Sequence, residues 1–294
     1  MEKANCSNKL FCAMCVLFVL GNTVITAPIN NANKYNFLAF LISFILSIGV
    51  YFLFYYIPFS RLFTAVIWLL SLFCVADTFI TFIVFISDNL LPQTTPILIA
   101  VSFALLIIYA SFRGNAVLKV SIISVFIIAF VFLVYFLSTA KDFNVKNIFI
   151  YNIPSFAELG NQLLPYVLSV ALPTGILAVF ARLNGFSKKT GVLGIGMGFI
   201  LLGICLLNTV LLFGIALSAR LDYPYSSVGS TVTFGNLFTR LDGLLYFVYL
   251  VTSLVKCVVG ILVIKKSRDK GCTLKDSNIK SRNEKSFLPF AIRF

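Results

Sequence analysis

Residues 163–184, LLPYVLSVALPTGILAVFARLN, are long enough to cross a bilayer yet carry Pro173-Thr174-Gly175 in the middle. A bilayer needs about 20 apolar residues at about 1.5 Å each. Proline removes a backbone donor and clashes with the preceding turn, and glycine lowers the cost of unwinding. In lipid, such a break survives only where protein packs around it or where it lines a wet cavity. A second interrupted span runs from Leu10 to Pro28, with Gly21-Asn22-Thr23 at its centre. Paired broken helices are the sequence pointer to a transporter-type binding site, although glycine and proline also make ordinary membrane-helix kinks.

The composition fixes the class. Hydrophobic residues make up 60% of the chain and charged residues 11%, with mean hydropathy +1.01. A soluble domain has about 25% charged residues. An all-α, polytopic membrane protein follows, and the first apolar segment reads as a span because it lacks a small-residue cleavage site. The spans lie at about 9–28, 36–57, 62–87, 94–112, 117–138, 163–184, 190–219 and 242–264, or about eight transmembrane helices. In span 7, Gly191, Gly194, Gly196 and Gly198 have the spacing that lets helix backbones approach closely.

The net charge of +13 does not point to nucleic acid. Arg61, Arg113, Lys119, Arg182, Lys188 and Lys189, with the dense run after Ile264, occupy alternate loops. This positive-inside pattern places both termini in the cytoplasm. The tail from Lys265 reads as a basic, disordered segment drawn to anionic membrane lipid. Seven cysteines without metal-ligand spacing and the absence of histidine exclude a histidine-ligated metal site and a histidine-based triad. No nucleophile, base and acid come together, so an enzyme is not expected, nor is a cofactor.

Two ionisable residues fall inside apolar runs, Asp77 in span 3 and Lys256 in span 8. Each must face protein, a partner or water. Tyr249, Thr252, Ser253 and Lys256 follow i, i+3, i+4, i+7 spacing and share one face, as do Asp77, Thr78 and Thr81. Asp77 and Lys256 read either as a structural ion pair or as the border of a ligand site. Lys256 can also snorkel to the cytoplasmic surface. The span residues Ser43, Ser47, Ser102, Ser121 and Asn208 read as helix–helix hydrogen bonds. The ligand-site set is therefore Gly21, Asn22, Thr23, Asp77, Thr81, Pro173, Thr174, Gly175, Tyr249, Thr252 and Lys256.

Phe213-Gly214, Tyr223-Pro224, Gly235 and Arg240-Leu241-Asp242 resemble the B-subunit permeases of bacterial spore germinant receptors. So do Leu90-Leu91-Pro92-Gln93-Thr94-Thr95-Pro96, Tyr109-Ala110, Arg113-Gly114 and the Gly21 region. The resemblance covers most of residues 5–264. It implies the amino acid–polyamine–organocation transporter fold: two inverted five-helix repeats, with helices 1 and 6 broken and helices 3 and 8 beside them. Here the pattern is an incomplete 5+3 form. Residues 1–138 make the first repeat, 139–162 an outer loop that could hold a short interfacial helix, 163–264 three helices of the second repeat, and 265–294 the tail. No acidic residue stands beside Gly175, and span 8 lacks a central tryptophan.

The resemblance further implies a permease-like subunit that senses a small nutrient, such as an amino acid, in a bacterial cell or spore inner membrane. Its partners there are an A-type membrane subunit and a C-type lipoprotein. The alternatives are an amino-acid or cation symporter and a truncated scaffold without ligand. With both termini in the cytoplasm, reporter fusions after Lys189 and after Lys266 both report cytoplasm, and an external signal from either removes this topology.

Overall fold

The computed structural model describes residues 2–21, 23–26, 36–144, 156–218, 220–221, 223–231 and 242–287. Every regular element among them is helical. In chain order these are α1 (Glu2–Leu20), α2 (Thr23–Thr26), α3 (Asn36–Tyr56), α4 (Arg61–Asn89), α5 (Pro96–Phe112) and α6 (Gly114–Thr139). There follow α7 (Phe156–Tyr166), α8 (Thr174–Asn184), α9 (Lys188–Ser218), α10 (Pro224–Thr231) and α11 (Asp242–Phe287). A 3₁₀ turn, Ala140–Asp142, extends α6, and a π turn, Val167–Ala171, joins α7 towards α8.

Six helical segments are long and apolar enough to cross a membrane: Phe37–Tyr56, Arg61–Asn89, Ala116–Asp142, Leu159–Asn184, Lys188–Gly214 and Gly243–Arg268. Two shorter apolar helices, Asn8–Leu20 and Pro96–Phe112, occupy the positions of expected spans 1 and 4. The chain is thus an all-helical protein of integral-membrane type.

Local chemistry sets several boundaries. Ser60 caps α4 by accepting from the Phe63 N–H at 3.1 Å, satisfying one of the donors that a helix start leaves over. Pro96 opens α5, where its missing N–H costs nothing. Gly185 ends α8 in the left-handed region, at φ 72°, and the Phe186 N–H returns to the Ala181 carbonyl at 2.9 Å. α7 begins at Phe156, before the expected start of span 6. α11 continues to Phe287, through the tail read from sequence as disordered.

The two interrupted helices are central. From Phe11 to Leu20 nearly every side chain of α1 is buried, and so is every residue of α8 from Thr174 to Ala181. A helix that is apolar and buried all round belongs to the core of the bundle. The outer faces of α3 to α6 instead expose Leu69, Leu72, Ile97 and Phe126, the face that lipid covers. In the window around spans 6 and 8, 61% of residues are buried, against 28% for α3.

Cross-helix contacts gather the chain ends. Asn8 accepts from the Ser187 N–H at 3.3 Å, Lys188 meets the Tyr56 hydroxyl at 2.7 Å, and Trp68 donates to Ser267 at 2.7 Å. Arg182 donates to the Ile57 carbonyl and Lys266 to Asn184. All of these lie at the end of the bundle that carries the basic loops. The opposite end holds the contacts of Tyr223 with Asp88, at 3.2 Å, and of Thr139 with Asn208, at 2.8 Å.

The serines Ser43, Ser47, Ser102 and Ser121 donate to carbonyls three or four residues back in their own helices. They do not make the cross-helix bonds expected of them, because a helical carbonyl one turn earlier is always within reach. Asn208, with a longer arm, does bridge two helices.

α1 and α9 pack closely along a stripe of glycines. A Cβ at Gly194 would stand 2.6 Å from Cys15 Cβ and 2.7 Å from the Cys12 carbonyl oxygen, and one at Gly198 would stand 2.8 Å from Val19 Cβ. A Cβ at Gly196 would meet nothing within 4 Å. Gly194→Ala and Gly198→Ala should each cost about 1–3 kcal/mol, because two backbones must move apart. Gly196→Ala should be neutral or stabilising by up to about 1 kcal/mol. Thermal unfolding in detergent measures this, and equal losses at all three positions contradict the packing.

Candidate functional site

Pro173 has no N–H, so the Ser169 carbonyl one turn earlier loses its ordinary α-helical donor. The chain responds with the π turn, in which the Leu172 N–H reaches back to Val167 at 2.8 Å. The Thr174 hydroxyl takes the Ala171 carbonyl at 2.7 Å. The Ser169 carbonyl is taken from another helix: Lys256 Nζ donates to it at 2.9 Å.

The break in span 1 is held from the same helix. Gly21 adopts φ 30°, a region that suits residues without a Cβ. Its carbonyl lies 3.2 Å from the Thr252 hydroxyl, which shares its one hydrogen with the Val248 carbonyl at 2.9 Å. Thr252 and Lys256 are one turn apart on α11, so a single face of that helix grips both interruptions. The Lys256 stem passes over Gly21, where a Cβ would stand 2.5 Å from Lys256 Cδ. The ammonium also lies 5.9 Å from the Phe18 ring centre, within cation–π range. Lys256 is 1% exposed. It does not snorkel, because the carbonyl freed by Pro173 lies within its reach.

α4 and α11 run antiparallel, and three contacts fix their register: Trp68 with Ser267, Cys257 Sγ with the Val75 carbonyl at 3.8 Å, and the Phe85 and Tyr249 rings at 4.7 Å. That register puts Asp77 level with Lys256. Both charges lie within electrostatic reach of the Cys74 and Cys257 thiols. Asp77 and Thr81 are partly exposed, and Thr78, between them in the pattern, is buried and donates to the Cys74 carbonyl at 2.8 Å.

Towards the non-basic end, Thr23, Val24, Tyr166, Cys205, Thr209 and Tyr225 line a small cavity of about 10 Å³. This is room for about one water molecule. The Tyr225 and Tyr249 hydroxyls and Ser253 Oγ are buried without a good hydrogen bond. Tyr225 stands beside the Cys205 thiol, a weak acceptor. α10 carries Tyr225 and packs over α2 and against α9 and α11, closing this side.

The expected site residues therefore divide. Gly21, Thr252 and Lys256 come together with Ser169, and Asp77 shares their depth. Thr23 and Tyr249 lie on the non-basic side, where Thr23 lines the small cavity with Tyr166 and Tyr225. Thr174 and Gly175 face α3: Thr174 also donates to the Ser47 carbonyl at 3.0 Å, and a Cβ on Gly175 would lie 3.0 Å from the Phe54 ring. Pro173 acts through the carbonyl it frees. The paired interruptions in the sequence place Gly21–Thr23 near Pro173–Gly175; Lys256 ties the first break to Ser169, one turn before Pro173, with its stem over Gly21. Asn22 lies outside the described residues.

Sequence reasoning misses Ser169, Tyr166 and α10. Pro165 and Pro173, eight residues apart, are the available sign that the break starts before Pro173. Pro224, at the first position of α10, is the sign of a helix start. No protein-family model, curated protein or solved structure matches this chain.

Gly21→Ala should cost about 1–3 kcal/mol through collision with the Lys256 stem and its positive φ. In a Lys256→Ala background, only the conformational part of about 1 kcal/mol should remain. Thermal unfolding of the four proteins gives the coupling, and strict additivity removes the contact.

Proposed function

We propose that this chain is a permease-like membrane protein that binds a small polar solute, an amino acid by preference, where its two interrupted helices meet. The observation that carries the reading is the clamp of α11 on both breaks. A polar ligand and two freed main-chain carbonyls are complementary at membrane depth, where few other groups compete. A zwitterion's carboxylate competes for the Lys256 ammonium, and its ammonium takes the Ser169 or Gly21 carbonyl that the clamp releases. Asp77 offers a further anionic partner. The cavity beside Thr23, Tyr166 and Tyr225 holds about one water, so a zwitterion that enters from this side requires α2 and α10 to separate. A ligand shifts such an equilibrium only by its difference in affinity for the two states.

The helix pairing supports an inverted-repeat scheme. α1, the first span, packs chiefly on α9, the seventh, whereas the sixth, α8, packs chiefly on α3, the second. The third and eighth, α4 and α11, pack on one another. Exchange of partners between halves is what a pseudo-two-fold axis in the membrane plane produces. The spore germinant receptor setting, with A-type and C-type partner subunits, rests on the sequence resemblance. In that setting the ligand is a nutrient signal and the partners read the shift.

The test is thermal stability of the purified protein against a panel of common amino acids, followed by uptake into proteoliposomes. A ligand at about a hundredfold above its Kd adds about 2.7 kcal/mol of stability. Thr252→Val and Lys256→Met should abolish that gain. Binding without uptake supports a sensor, and proton-coupled uptake sensitive to Asp77→Asn supports the symporter. Neither binding nor uptake overturns the reading and leaves the scaffold.

A further inference from the structure

A cavity of about 570 Å³ opens at the basic end of the bundle, well away from the clamp. Its walls come from the α5–α6 turn, the end of α8 and α11. Arg113, Lys265 and Lys266 line it together with Asn184, and no acidic residue is among its lining residues. Three cations around one concavity repel one another unless an anion joins them. They are held there by packing: a Cβ at Gly114 would lie 3.0 Å from Leu262 Cδ1, so the turn sits tightly on α11. Lys266 is anchored by its bond to Asn184 and lies 5.8 Å from the Phe180 ring centre. An ammonium has three donors, so others remain for a ligand. α6 begins at this wall, at Gly114, without a side-chain cap, and a helix N-terminus favours negative charge.

The cavity also meets the lipid-facing surface. Phe112 lines it and is 79% exposed; Tyr109, 61% exposed, and Leu105, 62% exposed, continue the same stripe along α5. An i, i+4, i+7 stripe of exposed apolar side chains leading from a basic cavity matches a molecule with an anionic head and an apolar chain. We infer that this cavity is a binding site for the phosphate headgroup of an anionic phospholipid, with an acyl chain along Leu105, Tyr109 and Phe112.

The test compares the affinity of the purified, delipidated full-length protein for phosphatidylglycerol and for phosphatidylcholine, by native mass spectrometry and by competition with a labelled lipid. Each Lys or Arg near an anionic headgroup contributes about fivefold in affinity, so replacing Arg113, Lys265 and Lys266 together by Gln should reduce the preference for phosphatidylglycerol by about a hundredfold. Arg113→Gln alone should reduce it by about fivefold, which keeps the test decisive if the triple variant does not fold. Arg61→Gln, a basic-end change outside the cavity, should leave it unchanged. A preference equal in wild type and Arg113→Gln overturns the site, as does an equal loss in Arg61→Gln. Inorganic phosphate or glycerol phosphate competing as well as the lipid overturns the assignment to lipid and leaves a soluble anion as the occupant.

Discussion

The structure depends on one hydrogen bond, from the buried ammonium of Lys256 to the Ser169 carbonyl. Pro173 creates the need by withdrawing a donor inside an apolar bundle. An unpaired buried carbonyl costs about 1–3 kcal/mol. A buried ammonium without partners costs several. Brought together, the two offset one another, and the 2.9 Å contact fixes α11 against the interrupted span. Thr252, one turn away, does the same for Gly21 with a neutral hydroxyl. The position of α11 is thus set by two backbone irregularities in other helices, and α4 follows through its register with α11.

This arrangement explains why the interrupted helices are the most enclosed. A break facing lipid would leave main-chain groups without partners. α1 and α8 therefore sit inside, while α3 to α6, uninterrupted, take the lipid face. Ser43, Ser47, Ser102 and Ser121 of those outer helices satisfy themselves within one turn, whereas the Ser71 hydroxyl is buried without a partner among the described residues. The polar demand of the bundle is concentrated along α11, from Tyr249 to Lys256. On the non-basic side it is only partly met: the Tyr225, Tyr249 and Ser253 hydroxyls are enclosed without good partners. Under the proposed function, these hydroxyls and the clamped ammonium are the groups that a polar molecule entering between α2, α10 and α11 meets.

Much of this is legible in the sequence. Hydropathy locates the helical segments, since in lipid the backbone has few alternatives. The Gly21 interruption and the shared face of Tyr249, Thr252, Ser253 and Lys256 follow from residue type and period, and all four of those side chains are buried. Periodicity assigns a residue to a face but does not say which neighbour that face meets. For that reason the sequence singles out Thr174 but neither Tyr166 nor Ser169. The same limit leaves snorkelling open for Lys256, whose long stem serves the surface or the interior equally well. α10 carries no membrane-length signal; its place follows from Tyr225 and Val228, which bury one turn apart only once α2 and α11 are in position.

Under the proposed function, the choice of an ammonium rather than a second neutral hydroxyl at one of the two clamps has a consequence for switching. A neutral donor exchanges one neutral acceptor for another with little net gain, and a ligand bound equally by both states moves nothing. An ammonium carries a full positive charge, for which a ligand carboxylate competes with the Ser169 carbonyl and with Asp77 at the same depth. The bond to Ser169 is already charge-assisted, so what a carboxylate adds is the attraction of its opposite charge. The gain falls on the state in which Lys256 has left Ser169, so it differs between the two states as a shift requires. The same exchange that releases the lysine exposes the Ser169 carbonyl to the ligand's own ammonium, so the group lost from the closed state is regained in the open one. On the proposed reading, the clamp favours a zwitterion over a simple cation or anion of the same size, since each of those replaces only one side of the exchange.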